Sequence, residues 1–128
     1  MALGKRECVE VFGTDYDTPD GSAVRDYVHV GDLAEAHRRA VEEEVTGAFN
    51  LGTGKGYSVW EVIEVCREVT GHDIPVKESP RRKGDPPILV ASSKKAASAL
   101  SWYPAADLRT IVTSAWEWHS AHPQGYGD

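Results

Sequence analysis

Cysteine is scarce in this chain: among 128 residues there are two, Cys8 and Cys66. Two cysteines cannot build a disulfide framework, and neither stands in a paired metal-binding motif, so a disulfide-stapled scaffold and a zinc ribbon are both excluded. Long apolar runs are missing too. No stretch approaches the about 18 consecutive apolar residues that cross a bilayer. The opening Met1-Ala2-Leu3-Gly4-Lys5-Arg6 has neither the apolar core nor the cleavage site of a secretory signal. A protein of the reducing cytoplasm, with no membrane partner, is the expectation. Positive charge is in deficit: 14 lysines and arginines face 20 aspartates and glutamates, a net charge of −6. Nucleic-acid binding needs a basic footprint, and this balance argues against it.

Spacings that carry chemistry are absent as well. His29 and His37 are eight apart, His119 and His122 three apart, and neither pair has carboxylates at metal-ligand spacing. Asp15, Asp17 and Asp20 start like a calcium loop but lack its closing glutamate. No metal is expected. Gly-x-Ser-x-Gly is missing, and no serine, threonine or cysteine has a local nucleophile signature, so no catalytic residue can be assigned.

What is present fits one compact unit spanning residues 1–128. Glu7 to Phe12 alternates polar and apolar residues and ends at Gly13, which predicts a short strand. A turn-rich stretch, 14–22, leads to a β-favouring Tyr27–Val30. A helix is expected from Asp32, able to cap its own first amides, to about Glu44, then a strand at Ala48–Leu51. Ser58-Val59-Trp60-Glu61 has the capping-box pattern, Val59, Val62, Ile63, Cys66 and Val69 share one helical face, and Gly71 stops the helix. A strand over Ile74–Lys77, a proline-rich loop over 79–87 and a short helix over Ser93–Leu100 follow. Asp107 opens a last helix with Leu108, Ile111, Val112, Ala115 and Trp118 or His119 inward. No clean βαβα series emerges that would build a full doubly wound sheet.

Gly52-x-Gly54-x-Gly56 lies between a predicted strand and a capped helix, superficially like a phosphate-cradling loop. The dinucleotide fingerprint needs a third glycine where Tyr57 stands, and the acidic ribose partner would fall near His72 or Asp73, outside a second strand. A plain turn is the preferred reading, and no cofactor-binding residue is assigned. Two arginine segments are more informative. Arg25 stands where a turn meets a strand, and Arg81, Arg82 and Lys83 crowd a loop containing Gly84 and Asp85. Arginine grips phosphate through a planar fork of donors that keeps its charge near neutral pH. Two forks from separate segments could hold a diphosphate, and Asp85 could accept from a sugar hydroxyl; a solvated loop is the alternative.

Taken together, Val11-Phe12-Gly13, Asp15-Tyr16, Thr18-Pro19-Asp20-Gly21, Val24-Arg25-Asp26-Tyr27-Val28-His29-Val30 and Asp32-Leu33-Ala34 closely resemble the C-terminal half of UDP-glucose 4-epimerases. These enzymes belong to the extended short-chain dehydrogenase/reductase family. Asn50-Leu51-Gly52, Ser58-Val59, Pro80-Arg81-Arg82-Lys83-Gly84-Asp85, Trp102 and the tail His122-Pro123-Gln124-Gly125-Tyr126 extend the likeness over essentially the whole chain. The resemblance implies an α/β fold: the C-terminal substrate-binding lobe, a small mixed sheet with helices, lacking most of the Rossmann sheet. It implies that Glu10, Val11 and Phe12 hold the uracil, that Arg25 and Arg82 hold the diphosphate, that Lys83 and Gly84 complete the loop, and that Asp85 binds the ribose. The residue four places beyond that aspartate, Leu89, would line the sugar pocket. Its bulk would favour UDP-glucose and UDP-galactose, with weak use of the N-acetylated pair; a packed core strand residue is the alternative.

The family takes a hydride from C4 of the sugar onto NAD and returns it to the other face of a transient 4-keto sugar. Its Tyr-x-x-x-Lys pair and Gly-x-x-Gly-x-x-Gly loop are not in this sequence. The resemblance therefore implies a fragment, inactive alone, whose NAD-binding domain is missing and whose full-length form is a homodimer of galactose metabolism. A free-standing UDP-sugar-binding module and another extended family member, a sugar-nucleotide dehydratase or decarboxylase, remain the competing readings.

Overall fold

The computed structural model describes residues 1–126. Its best-determined element from local sequence is helix α2, Val59–Thr70. Ser58 Oγ accepts from Glu61 N (3.0 Å) while the Glu61 carboxylate accepts from Ser58 N (2.7 Å), which closes the capping box. Such a cap stabilises a helix by about 1 kcal/mol. Gly71 ends it at φ 67°, a left-handed conformation that costs glycine no Cβ clash. The last helix, Leu108–Ala121, begins at Asp107, whose carboxylate accepts from Thr110 N at 2.8 Å. It packs against α2. Leu108 is buried and Ile111, Val112 and Trp118 half-buried, whereas Ala115 and His119 are exposed, so Trp118 rather than His119 is the more covered of the two alternatives.

The first helix, α1, runs Val30–Glu42 and packs on the short helix α3, Lys94–Leu100. Numbered in chain order, the last helix is α4. Between α1 and α3 lies the densest cluster: Ala36, Ala96, Leu100 and Trp102, none more than 4% exposed. The small alanines let the helices approach, and the Trp102 indole reaches across to donate to Asp32 O at 2.7 Å. A buried tryptophan needs such a partner for its one donor.

The expected mixed sheet is divided in two. β1 (Val9–Phe12) pairs in parallel with β4 (Val76–Ser79), in the register Val9 with Val76 through Phe12 with Ser79. β2 (Val24–Asp26) is the centre of a mixed sheet, antiparallel to β3 (Gly56–Ser58) and parallel to β5 (Ile88–Leu89).

Several local expectations are corrected. The strand expected at Tyr27–Val30 lies earlier, at Val24–Asp26, because both partner strands meet the chain there. α1 is capped by His29, whose Nδ1 accepts from Gly31 N (3.0 Å). Asp32 turns away from its own helix and accepts from Ala105 N and Ala106 N, each at 3.1 Å. Ala48–Leu51 forms no strand: no ladder partner reaches it among the described residues, and Phe49 and Leu51 lean on the α1–α3 cluster instead. The strand expected at Ile74–Lys77 starts at Val76, since Ile74 is a buried core residue and Pro75 has no amide to donate. β5 arises within a stretch with too few residues to show a period.

Candidate functional site

Parallel pairing brings the C-terminal ends of β1 and β4 to one edge, the place where open α/β sheets present ligand-binding loops. Gly13 N donates to Ser79 O at 2.8 Å, so both chains leave the sheet together. Val11 is 1% exposed, buried too deeply for its side chain to meet a ligand, which leaves its backbone. Glu10 is exposed and within 3.5 Å of Lys77 Nζ. Phe12, last on β1, lies beneath the Arg82 guanidinium, 4.7 Å from ring centroid to Cζ. Arg82 Nε donates to Asp85 Oδ2 at 2.8 Å, and Nη2 lies 2.8 Å from the same oxygen. Asp85 N in turn donates to Arg82 O at 3.3 Å, closing the turn that also contains Lys83 and Gly84. Thus Phe12, Arg82 and Asp85, 73 residues apart at the extremes in sequence, form one platform. The Arg82 side chain is 62% exposed, so its ion pair is solvent-screened and worth at most about 1 kcal/mol. An entering diphosphate and sugar could take over both partners at small cost.

The neighbouring Arg81 is spent differently. Its Nε donates to Asp15 Oδ1 (2.6 Å), its Nη2 to Asp15 O, and its guanidinium lies 4.2 Å from the Tyr16 ring centroid. The hydrogen bond from Arg81 holds the Asp15 carboxyl below the usual carboxylate range. Arg81 therefore ties its loop to the 14–16 turn, while Arg82 faces the open platform.

Residues 80–87 then cross from one sheet to the other, anchored where Val24 N donates to Pro87 O at 2.8 Å. Arg25 stands beyond that anchor on β2, in register with Leu89 on β5 and Tyr57 on β3. Register partners project to the same face, so Arg25 and Leu89 share one wall. Arg25 is half-buried and its Nη1 donates to Val24 O at 2.8 Å. Burial pushes the nearby Tyr27 phenol up, with the Arg25 guanidinium pulling the other way. Leu89 is 59% exposed and is not part of this chain's core.

The glycine turn 52–56 holds an anion, and the anion is internal. Asp26 Oδ1 accepts from Thr53 N (2.9 Å) and Thr53 Oγ1 (2.6 Å), and Oδ2 accepts from Gly54 N and Ala91 N, both at 3.2 Å. A Cβ on Gly52 would come within 2.6 Å of Asp26 Oδ2 and of the Ala91 methyl, so the carboxylate occupies the space a side chain would need. Partial burial pushes the Asp26 carboxyl up, but these hydrogen bonds together outweigh it and hold the group below its ordinary value.

The chain as a whole is similar to known proteins. Residues 3–115 match the family profile described as GDP-mannose 4,6 dehydratase. The chain belongs to that family. Within it, the chain is 57% identical over 131 residues to a UDP-glucose 4-epimerase from Halalkalibacterium halodurans, covering 98% of this chain and 39% of that protein. It is 56% identical to one from Corynebacterium glutamicum, covering 94% of this chain and 38% of the relative. The crystal structure of UDP-glucose 4-epimerase from Bifidobacterium longum in complex with NAD+ and UDP superposes with a TM-score of 0.90 at 41% identity, over 98% of this chain and 38% of that one. The chain thus spans about two-fifths of the length of these relatives and corresponds to their C-terminal portion.

Several of the similar solved structures hold NAD, so its seat matters. The glycine turn does not fit it, because its Thr53 and Gly54 amides are taken by Asp26. Two cavities lie away from the platform. One of about 840 Å³ is bordered by α2, α4 and the N-terminal residues, with mostly apolar walls that include Val62, Ile63, Ile111 and Trp116. The other, of about 520 Å³, is lined by Tyr57, Trp60 and Arg109 among others. Neither contains Arg25, Arg82 or Asp85, and a nucleotide diphosphate needs converging cationic donors, so we take the platform as the candidate site despite its openness. Among the described residues no cluster of His, Cys, Asp and Glu can hold a metal, and no helix is long and apolar enough to cross a membrane.

Sequence reasoning missed Asp26 and the anchoring role of Arg81. The signal for Asp26 was faint: a carboxylate beside Arg25 and a glycine turn without a ligand of its own. Nothing local announced that they meet.

Proposed function

We propose that residues 1–128 are the UDP-sugar-gripping portion of a UDP-glucose 4-epimerase, the isomerase that interconverts UDP-glucose and UDP-galactose in galactose metabolism. The observation that carries this reading is the platform at the end of β1 and β4, where Phe12, Arg82 and Asp85 meet around one turn. The β1 end, with Glu10 and Val11 through their backbone and Phe12 through its ring, takes the uracil. Arg82 and Arg25 hold the diphosphate, Lys83 and Gly84 shape the loop, and Asp85 accepts from the ribose. Leu89, exposed on the Arg25 wall, limits the bulk admitted at the sugar.

The grip supplies binding energy that is uniform between substrate and transition state, which fastens the sugar but does not lower the chemical barrier. NAD and the groups that move hydride and proton belong to the part of the relatives that this chain does not span. The whole enzyme is a cytoplasmic homodimer. The family description favours a second reading, a GDP-sugar dehydratase. The base separates them, so calorimetric titration of the chain with UDP and with GDP is the test. Tighter saturable binding of UDP is expected. Equal or tighter binding of GDP would favour the dehydratase, and no saturable binding of either would remove the platform as a site.

A further inference from the structure

Function leaves the glycine turn unexplained. It lies on the face of the β2 sheet opposite Arg25, because successive strand residues project to opposite sides. Asp26 follows Arg25 on β2 and pairs in register with Gly56 on β3. Its carboxylate gathers donors from Thr53 and Gly54 on the turn and from Ala91, two residues past Leu89. The ladder between β2 and β5 is only two residues long, so the bond from Ala91 extends it beyond its last backbone pair. Gly52 and Gly56 lack the Cβ atoms that would strike Asp26 and Ala91, or Val24 and Val90, and this lets the turn close on the sheet.

From this geometry we infer that Asp26 is a positioning residue for the diphosphate grip: clamped from behind by the glycine turn and Ala91, it sets β2 against β5 so that Arg25 and Leu89 present one wall to the ligand. The inference rests on the assignment of Arg25 to the diphosphate made above. The low-lying carboxyl keeps four acceptor positions available across the neutral range. Asparagine would turn a donor toward two of the four donors and open the clamp on one side.

The test separates positioning from folding by the part of the ligand lost. The full 128-residue chain and its Asp26→Asn variant are titrated with UDP and with uridine, which lacks the diphosphate but keeps the base and ribose. Asp26→Asn should weaken UDP by about tenfold, the scale of one charged hydrogen bond, and leave uridine within twofold, as roughly expected for a group acting only through the phosphates. In an Arg25→Ala background the same substitution should cost no further UDP affinity, since residues acting through one another are not additive. Equal losses for both ligands, or a full further loss without Arg25, would overturn the inference. If Asp26→Asn does not fold, Thr53→Val removes one donor and keeps the rest; it should move UDP in the same direction, and an unchanged UDP affinity there overturns the inference as well. Failure of the unsubstituted chain to bind UDP sinks the site assignment itself and this inference with it. UDP binding that ignores Asp26→Asn sinks the inference alone.

Discussion

Two places in this molecule gather donors around a carboxylate of the chain itself, and they differ in how firmly that carboxylate is held. At the glycine turn 52–56, backbone amides and a threonine hydroxyl converge on Asp26, a carboxylate of the same chain. At the 80–85 loop, Arg82 leans over Phe12 and pairs with Asp85 across a largely exposed turn. The first resembles a phosphate cradle in sequence and is full. The second reads in sequence as a candidate diphosphate grip, and its Arg82 is held only by a solvent-exposed pair with Asp85. Convergent donors therefore identify a ligand site only once their present occupants are known.

The largest test of this contrast is turnover. Because the turn's amides are committed to Asp26 and the sequence holds neither a Tyr-x-x-x-Lys pair nor a free dinucleotide loop, the chain should convert no UDP-galactose. Incubation of the chain with NAD and UDP-galactose, followed by chromatography for UDP-glucose, should match a mock purification; any excess product would mean that the chain carries a catalytic centre of its own. Next in size is the pair of adjacent arginines. Arg82→Ala should weaken UDP by roughly 10- to 150-fold, the range for hydrogen bonds to a charged group. Arg81→Ala, which breaks only the tie to Asp15 and Tyr16, should leave UDP affinity within about twofold, as surface ion pairs allow. Similar losses in calorimetry from both would erase the distinction between them.

A smaller effect is expected at Leu89. Leu89→Ser should raise the affinity for UDP-N-acetylglucosamine relative to UDP-glucose by up to about tenfold, the low end for hydrophobic-pocket discrimination. A ratio unchanged by competition binding would remove Leu89 as the gate.

The smallest concerns acid. Asp26 has a folded-state pKa below its unfolded value of about 3.9. A depressed carboxylate contributes stability that is fully present above the unfolded pKa and is lost as pH falls through the folded one. Thermal melts from pH 5 to pH 3 should lose stability more steeply in the wild type than in Asp26→Asn. Parallel slopes would mean that the turn does not hold the ionised form.

Legibility followed the range of the interactions. The capping box at Ser58 and Glu61 and the stop at Gly71 depend on neighbours within a few residues, and both were readable; the strand at Val9–Phe12 was readable from its alternation, although its partner β4 lies 67 residues further on. The strand expected at Ala48–Leu51 failed for the opposite reason. Phe49 favours β structure, but a ladder needs a second strand, and among the described residues none pairs with 48–51. β5 is the converse, two residues with no pattern of their own, made a strand by β2. His29 took the cap expected of Asp32 because Asp32 had amides to satisfy 73 and 74 residues away.

By itself, the sequence determined the kind of molecule and the chemistry it could offer. The arginines, the aspartate that follows them and the aromatic before Gly13 are fixed in type by their order along the chain, and their resemblance to an epimerase's sugar-nucleotide grip is carried by that order alone. Only the tertiary structure decided which acceptor each donor met. Arg81 and Arg82 are adjacent and chemically identical, yet one faces Asp15 and the other Phe12. Thr53 and Gly54 look vacant until Asp26, 27 and 28 residues earlier, is folded against them. A backbone amide or a guanidinium satisfies whichever acceptor is nearest in space, and nearness in space is set by strand register and packing rather than by position in the chain.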